Sequence, residues 1–574
     1  MPDKKLLRIL GLILILAGLA LAAGGLATWL SPGNRHHAED VTRGLWLFKG
    51  LLVVHGVFFL FWYRIPHLTS GAALLSPRVL ARGGAEPAWA RWVAFALVLL
   101  GLGLRLPGLN QGLWFDEIQT LVEYVRLPMG QILTTFDSQN QHVLYSLGAR
   151  AVTSLTGESA WALRLPAVLF GTASLWATWW LGRQVAGWRE GLLATALLAV
   201  SYHHVWFSQN ARGYTGLLLW TVLATGCFLR LLSGKYEDGR RLALGYGIIM
   251  ALAVYTHATA ALVAVAHAIL LLLLVIKRWP ESRSGPAAAA LLALVLSGSL
   301  SLLLYAPVLP QFLGTLTEPS AFHAETEWQS PAWLALEVMR GLAQGLPGGW
   351  VTLGAGVAVL GTGVLSYARQ SAAVLTALLL PGLVTLAAVI LLRHNLWPRF
   401  FFFSATFAVL IVIRGGFVLA RRVLGERGPT AAVAGTVLVC LASALTVPRA
   451  WGPKQDFGGA IGYVETHRAA ADGVATVDLT SYPLTRYYAR DWAQVERLEE
   501  LQAVERAHPR TWLLYTFPVR LAAAYPEIWT HLQAEYDSVA TFPGTVGGGA
   551  IVVLTSRPAP ATTTDSASTP RAPE

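Results

Sequence analysis

The sequence predicts an all-α polytopic membrane protein with a small C-terminal α/β domain. Of its 574 residues, 55% are hydrophobic and only 13% are charged, and the mean hydropathy is +0.52. Soluble globular domains carry about 25% charged residues, so most of this chain is expected to lie in a membrane. Near residue 448 the composition changes, because charged residues return and the apolar runs shorten to strand length.

Apolar windows of roughly 17–25 residues predict about thirteen spanning helices. Two of them and a Gly/Pro/Arg-rich linker occupy residues 1–90, and the others form a core at 91–447. The first window lacks a cleavage site and is predicted to be an uncleaved span. The predicted spans lie near 6–30, 44–63, 91–107, 164–182, 190–207, 214–232, 241–257, 258–276, 286–308, 347–366, 371–392, 400–420 and 430–447.

Basic residues cluster in the loops between these predicted spans. The net charge of +11 therefore indicates membrane orientation, and no nucleic-acid partner is expected. If the N-terminus is cytoplasmic, an odd number of spans places the loop 108–163 and the C-terminal domain outside the plasma (inner) membrane. The cytoplasmic loops then hold Arg78, Arg82, Arg183, Arg189, Lys235, Arg240, Arg241, Lys277, Arg278, Arg283, Arg421, Arg422 and Arg427.

Residues 448–556 are predicted to form the extracytoplasmic α/β domain, since strand-length apolar runs alternate with helical spacing. The tail 557–574, rich in Pro, Thr and Ala, is predicted to be disordered. The predicted strands are 473–478, 511–515 and 550–554, and the predicted helices are 456–467, 491–508 and 519–536. Cys227 and Cys440 lie far apart in apolar runs, so no disulfide framework is expected.

Two adjacent carboxylates, Asp116 and Glu117, stand at the outer mouth of an apolar span, beside Trp114 and Phe115. Ionisable residues at the edge of a spanning helix are costly and by default suggest a functional site. The alternative is a solvated acid pair in a loop that is anchored by a tryptophan.

Further polar residues gather on the same predicted face of the membrane. Arg forms bidentate, charge-assisted hydrogen bonds to phosphate, so arginines and acids together suit a lipid-borne phosphate substrate. Taken singly, Arg164 and Arg399 could be ordinary arginines that extend to headgroups, and the histidines lack the spacing of metal ligands. The candidate substrate-binding residues are His142, Tyr145, Arg164, Arg212, Tyr214, His257 and Arg399; the external segment 309–346 adds Glu318, His323, Glu325 and Glu327.

These residues carry a resemblance to a known family. The chain resembles the GT-C membrane glycosyltransferases (glycosyltransferase family 39-like), in the branch that contains protein O-mannosyltransferases and lipid A aminoarabinose transferases. The resemblance covers about 91–420, and it departs from the family at His142-Val-Leu, where His-Pro-Pro is usual. The motifs are Phe115-Asp116-Glu117, His142-x-x-Tyr145, Trp161-x-x-Arg164-Leu-Pro166-x-x-x-x-Gly171, Gln209-x-x-Arg212-x-Tyr214 and Trp397-Pro398-Arg399-Phe400.

The resemblance implies transfer of a sugar from a polyprenyl-phosphate donor to a glycan, lipid or protein acceptor at the outer face, with inversion. It implies Asp116 and Glu117 as catalytic residues, with Asp116 as the general base. Glu117 would either hold substrate hydroxyls or act on Asp116 through like-charge repulsion. Arg212, Arg399 and His257 would stabilise the leaving phosphate selectively in the transition state. If the acceptor is itself a phosphate, no strong base is required, and Asp116 would position groups or hold a divalent cation.

Two other classes of protein stay open at this point. A lipid or sugar transporter (flippase) would favour midplane charges and repeated halves, whereas these polar residues gather at one face and no repeat is present. A non-catalytic scaffold would use the outer domain to bind a partner. The sugar, the acceptor and any metal requirement do not follow from the residues.

Overall fold

The computed structural model describes residues 4–33, 38–76, 80, 85–279, 285–317, 327–345 and 348–557. It divides the chain into two compact units, Met1–Gly452 and Pro453–Glu574. The sequence had placed this boundary at 447/448, a few residues earlier. The tail 558–574 and the residues Arg78, Arg82 and Arg283 lie outside the described residues.

The first unit is helical, as predicted. Its first half contains α1 (Lys4–Ala20), α2 (Ala23–Leu30), α3 (Ala38–Phe61), α4 (Ala88–Arg105), α5 (Phe115–Gln119), a π-helical turn (Thr120–Val125), α6 (Met129–Ile132), α7 (Val143–Thr156), α8 (Ala160–Val185), α9 (Trp188–Ala199) and α10 (Tyr202–Ser208). Its second half contains α11 (Tyr214–Ser233), α12 (Gly239–Thr256), α13 (Ala260–Lys277), α14 (Gly285–Tyr305), α15 (Leu309–Thr317), α16 (Pro331–Gly345), α17 (Gly349–Gln370), α18 (Ala372–Leu391), a 3-10 helix (Pro398–Ser404), α19 (Ala405–Leu424), α20 (Gly428–Ala444) and α21 (Val447–Ala450).

The predicted number of spanning helices is not confirmed among the described residues. By length and composition, eight described helical segments are able to cross a membrane, or nine if one bent pair counts as a single span. The bent pair is α1 and α2, which meet at 91°. The predicted count of thirteen is therefore not confirmed, whereas the all-α polytopic class is.

Two predicted spans are interrupted. The predicted span 6–30 breaks between α1 and α2, and the predicted span 190–207 breaks after Ala199. At the second break, the Ser201 hydroxyl accepts a hydrogen bond from the His204 backbone N–H at 3.4 Å and starts α10. A serine in this position favours a new helix start over continuation of the preceding helix.

The loop 108–163 folds into short helices. α5 continues directly into the π-helical turn, and α7 ends before Gly157. π-helical turns in proteins occur often at functional sites. This loop brings the acidic pair against α8 and against the residues that precede α11.

The second unit is an α/β domain, which confirms that part of the predicted fold. Its sheet has the order β2-β1-β3-β5-β4, in which β1 is parallel to β2 and β3, and β5 is antiparallel to β3 and β4. Apolar residues pack on both faces, with Trp512 and Leu514 on one side and Leu513 and Tyr515 on the other. The strands are β1 (Gly473–Val477), β2 (Ala493–Val495), β3 (Thr511–Tyr515), β4 (Tyr536–Phe542) and β5 (Ile551–Ser556).

The three predicted strands are present, but β2 and β4 were missed. The predicted helix 491–508 contains β2 before its helical part, and the predicted helix 519–536 breaks before Pro526. Proline cannot donate a backbone hydrogen bond inside a helix, so a new helix begins there. The helices of this unit are α22 (Phe457–His467), α23 (Ser481–Arg486), α24 (Leu498–Ala507), α25 (Pro518–Ala524) and α26 (Pro526–Glu535).

Candidate active site

The two adjacent acids face different partners. Glu117 is fully buried and forms a bidentate ion pair with Arg164, whose Nε and Nη2 donate to its two carboxylate oxygens at 2.8 and 2.5 Å. The backbone N–H of Ala211 also donates to Glu117 Oε1 at 2.7 Å. Glu117 therefore joins α5, α8 and the segment before α11.

Arg164 has no donor left for a ligand. A guanidinium carries five N–H groups, and two of those of Arg164 are bonded to Glu117. The other three donate to the backbone carbonyl oxygens of Leu109, Gln111 and Gly112, at 2.8, 2.8 and 3.1 Å. The arginine thus fixes the loop that precedes the acids.

Asp116, one residue earlier, pairs with Arg399. Arg399 Nη1 donates to Asp116 Oδ2 at 3.1 Å, and the side chains of Asp116 and Arg399 are 13% and 31% exposed. This pair is more loosely bonded than that of Glu117, because only one N–H of the guanidinium is involved. The Nε of Arg399 is buried and has no hydrogen-bond partner among the described residues.

Arg212 is the second cation of the site. It is 4% exposed, and its Nη1 donates to the Thr120 hydroxyl at the long distance of 3.4 Å. Its Nε is also buried, with no hydrogen-bond partner within the described chain. Most buried polar groups in native proteins are hydrogen-bonded, so a buried, under-bonded guanidinium indicates a place for an anion.

An aromatic cluster surrounds these cations. The ring of His142 lies 4.5 Å from that of His257 and 5.5 Å from that of Tyr214, centroid to centroid. The Gly213 N–H donates to His142 Nδ1 at 2.8 Å, so a neutral His142 carries its proton on Nε2. Burial, followed by the positive charges of Arg212 and then of His257 and Arg399, holds the pKa of His142 well below its usual range.

The Nε2 of His142 is buried and unbonded among the residues that the structure describes. Three N–H groups therefore lack a partner in the same region: those of His142 Nε2, Arg212 Nε and Arg399 Nε. Contacts connect these groups: the Arg212 guanidinium lies 5.7 Å from the Tyr214 ring, which is 5.5 Å from the ring of His142. Arg212 also contacts Thr120, four residues after the Asp116 that Arg399 contacts. The arrangement can bind a phosphate beside the Asp116 carboxylate.

Tyr145 lies apart from this set. It is fully buried, and its hydroxyl donates to the Leu163 carbonyl oxygen at 2.5 Å, which joins α7 to α8. The predicted site residues thus fall into two groups. Asp116, His142, Arg212, Tyr214, His257 and Arg399 come together, whereas Glu117, Tyr145 and Arg164 are occupied by contacts within the protein.

Sequence reasoning missed Thr120 and Asn140. The Thr120 hydroxyl donates to the Asp116 carbonyl oxygen at 2.8 Å and accepts from Arg212 and from Asn140 Nδ2, the latter at 3.3 Å. A helical spacing of four residues from Asp116 would have suggested Thr120. Nothing in the sequence marks Asn140, because its approach depends on how the loop folds back.

Sequence reasoning also missed a buried arginine at the end of α4. Arg105 is fully buried, donates to the Ser208 hydroxyl at 3.1 Å and contacts His204 Nδ1 at 2.7 Å. Its Nη1 donates to the backbone carbonyl of Gly101. These bonds attach α4 to α10, so His204 has a structural partner. The sequence does not show whether an arginine at the end of a predicted span is buried or exposed.

The predicted acids and histidine of the external segment 309–346 add nothing to the site here. Glu318, His323 and Glu325 lie outside the described residues, as does the side chain of Glu327. Within the described ranges, no group of three or more His, Cys, Asp and Glu side chains is placed to hold a metal ion. The divalent cation stays a prediction.

A known family matches part of the helical unit. Residues 143–302 match the family described as "Dolichyl-phosphate-mannose-protein mannosyltransferase". No curated protein matches the chain. The family match runs from α7 into α14 and includes Arg212, Tyr214 and His257, whereas Asp116, His142 and Arg399 lie outside it.

Several solved structures are similar to this chain. ArnT from Cupriavidus metallidurans in the apo state is 12% identical, with a TM-score of 0.48, over 82% of this chain and 98% of that one. The oligosaccharyltransferase of Archaeoglobus fulgidus, in complex with Zn and sulfate, is 12% identical, with a TM-score of 0.48, over 80% and 72%. The arabinosyltransferase EmbB from Mycobacterium smegmatis is 14% identical, with a TM-score of 0.41, over 66% and 34%.

These identities are low and the TM-scores lie below 0.5, so the assignment depends on residues 143–302 rather than on the solved structures. That match is to a family whose description names a polyprenyl-phosphate sugar and a mannosyltransferase. Over residues 143–302 it confirms the resemblance predicted from the sequence.

Proposed function

We propose that this chain transfers a sugar from a polyprenyl-phosphate donor to a glycan, lipid or protein acceptor on the extracytoplasmic side of the plasma membrane. The observation that supports the proposal is the group of three unpartnered, buried N–H donors beside the Asp116 carboxylate. Transfer to a hydroxyl acceptor uses a base at that position, whereas translocation of a lipid forms and breaks no covalent bond. The N-terminus would be cytoplasmic and the α/β domain extracytoplasmic.

The donor phosphate would be held by Arg212 and Arg399. During transfer, the bond between the anomeric carbon and the phosphate oxygen breaks, and its electron pair stays with the phosphate. Guanidinium groups that are already in place stabilise this developing charge without reorganisation, which is worth about 2.7–4 kcal/mol for one such donor. The Nε2–H of His142 would donate to a phosphate or sugar oxygen, and His257 and Tyr214 would shape the pocket.

Asp116 would act as the general base. It would take the proton of the acceptor hydroxyl while the acceptor oxygen forms its bond to the anomeric carbon. For this it must lie within about 3 Å of the hydroxyl oxygen. A single displacement of this kind inverts the anomeric carbon, and the products are the glycosylated acceptor and polyprenyl phosphate.

Glu117 and Arg164 would hold this machinery in place rather than contact substrate. All five N–H groups of Arg164 are donated to protein oxygens, and Glu117 is fully buried. We propose this role in place of the catalytic role of Glu117 and the substrate-binding role of Arg164 expected from the sequence. Tyr145 would likewise position α7 against α8 through its bond to Leu163.

The test is turnover by Asp116→Asn in the purified full-length protein. Membranes from a strain that lacks the chain would supply donor and acceptor, and release of free polyprenyl phosphate would be measured. We expect release to stop, while thermal unfolding of the variant matches that of the wild type. Wild-type release by the variant would refute the role of Asp116, and sugar translocation without release would support transport instead.

A further inference from the structure

The guanidinium of Arg399 lies over an aromatic ring. Its central carbon, Cζ, is 5.1 Å from the centroid of the Trp397 ring. A cation within about 6 Å of the centre of a tryptophan ring is attracted by the negative face of that ring. The attraction acts on the whole delocalised charge, so it does not require that an N–H group be donated to an oxygen. Trp397 therefore holds Arg399 and leaves N–H donors for a phosphate.

Hydrogen bonds hold this side chain at one atom. Among the described residues, Arg399 donates one hydrogen bond, from Nη1 to Asp116 at 3.1 Å. The Nε–H lies on the edge of the guanidinium that Nη2 shares, away from that contact, and Nε is buried without a partner there. Such an edge binds phosphate through two parallel N–H groups. A side chain bonded at one atom is free to turn about that bond, and ordering it only when the ligand arrives weakens binding.

The Trp397 ring is itself held in place. The rings of Trp328 and Trp333 lie 4.8 and 5.9 Å from it, centroid to centroid. The backbone N–H of Leu396 also donates to the Trp328 carbonyl oxygen at 2.8 Å. Trp328 and Trp333 belong to the external segment 309–346, whose predicted acids add nothing to the site. This segment instead contacts the site through its tryptophans.

The second cation of the site has a similar contact. The Arg212 Cζ lies 5.7 Å from the centroid of the Tyr214 ring, and the Nε of this arginine is also buried and unpartnered among the described residues. Arg164 differs, because all five of its N–H groups are donated to protein oxygens. The two arginines proposed to bind phosphate are thus the ones that are held by rings and keep free donors.

We infer that Trp397 is a positioning residue for the donor phosphate: its ring holds the Arg399 guanidinium so that the Nε edge stays directed at the phosphate. The inference rests on the proposed function, in which Arg399 binds that phosphate. The ring does not touch the substrate and acts through the arginine. Loss of its negative face should therefore weaken binding of the carrier lipid while the fold is kept.

A fluorinated ring tests this inference. Polyprenyl phosphate would be titrated against the full-length protein in nanodiscs, with either tryptophan or a ring-tetrafluorinated tryptophan at residue 397. Fluorine withdraws charge from the face of the ring and changes its shape little. Binding should weaken about fivefold, as expected when the cation–π contact of a partly exposed arginine is lost. Thermal unfolding should match that of the wild type, and wild-type affinity of the fluorinated protein would overturn the inference.

Trp188 provides the matched control. The Arg189 Cζ lies 5.1 Å from the centroid of the Trp188 ring, the same distance as in the pair at the site. This second pair belongs to the predicted cytoplasmic side. The fluorinated residue at 188 should therefore leave the affinity for polyprenyl phosphate unchanged. Equal weakening at both positions would show a general effect of the fluorinated residue and would also overturn the inference.

Arg399→Ala separates this inference from the proposed function. The variant should weaken binding, and the fluorinated ring should then cause no further loss, because Trp397 acts through the arginine. If Arg399→Ala binds polyprenyl phosphate like the wild type, the proposed phosphate site fails. If Arg399→Ala weakens binding but the fluorinated ring alone does not, the proposed function stands and the positioning role is refuted. An additional loss in the alanine variant would mean that the ring contacts the lipid directly, which also refutes it.

Discussion

Glu117 and Asp116 are neighbours with the same chemistry, and their environments differ in how completely their partners are hydrogen-bonded. The Glu117–Arg164 pair is closed, since every N–H of the arginine is donated to protein oxygens. The Asp116–Arg399 pair is open, with one bond and an unpartnered Nε. A closed pair maintains structure, whereas an open pair has capacity for a ligand. Four predictions test this distinction.

The closed pair should determine stability. Glu117→Ala leaves Arg164 buried without its counter-charge, which for a buried pair costs about 3–5 kcal/mol. We expect a large fall in the thermal unfolding midpoint of the purified protein. The double variant Glu117→Leu, Arg164→Met, which replaces the pair by apolar groups, should be more stable than either single variant; additive losses would show that the pair is not coupled.

The arginines that have unpartnered N–H groups, Arg212 and Arg399, should determine turnover. Arg212→Ala removes a guanidinium that has one weak bond to the protein, so it should raise the barrier by about 2.7–4 kcal/mol with little effect on unfolding. Arg230→Ala, at the opposite end of α11, is the control and should turn over like the wild type. A loss of stability in Arg212→Ala comparable to that of Glu117→Ala would mean that Arg212 maintains structure in the same way as the closed pair.

Gly213 should affect both stability and ligand binding. A Cβ at this residue would lie 2.8 Å from the Thr256 carbonyl oxygen and 3.1 Å from His142 Nδ1. Gly213→Ala should therefore displace His142 and cost about 1–3 kcal/mol, as overpacking does. Gly245→Ala is the matched control, because nothing lies within 4 Å of the added atom. Unfolding and polyprenyl phosphate binding should both change in the first variant only.

The smallest expected effect belongs to Thr120. Thr120→Val keeps the shape of the side chain but removes the hydroxyl that joins the Asp116 carbonyl to Arg212, a loss of about 0.5–1.5 kcal/mol. We expect the KM for donor to rise several-fold, and Thr120→Ser to restore it. An unchanged KM in the valine variant would mean that Arg212 is held by packing alone.

The sequence was sufficient for the chemical inventory but not for the pairing. It identified the two acids, the arginines and the histidines, because charged residues at a membrane face are costly and therefore conspicuous. Which acid faces which arginine depends on the helical phase of α5 and on the positions of α8 and the 3-10 helix at Pro398–Ser404. Helical phase and helix positions belong to the tertiary structure, and from them we propose opposite roles for Asp116 and Glu117.

The fold shows the same limit. Long apolar runs were recognised as helices, and the three buried strands were found, since hydrophobic pattern determines both. The strand β2 has three residues, too few for a pattern, and β4 is an edge strand with mostly exposed residues. The break before Ser201 depends on one hydrogen bond to its hydroxyl, which hydropathy does not detect.

The π-helical turn at Thr120–Val125 has a mechanical consequence for the acids that precede it. Such a turn contains one residue more than an α-helical turn, so it shifts the direction of the preceding side chains by about 100° relative to a continuous α-helix. In a continuous α-helix, the Asp116 carboxylate would therefore point away from the guanidinium of Arg399 that it contacts here. The direction of this carboxylate is thus set within a single turn of backbone.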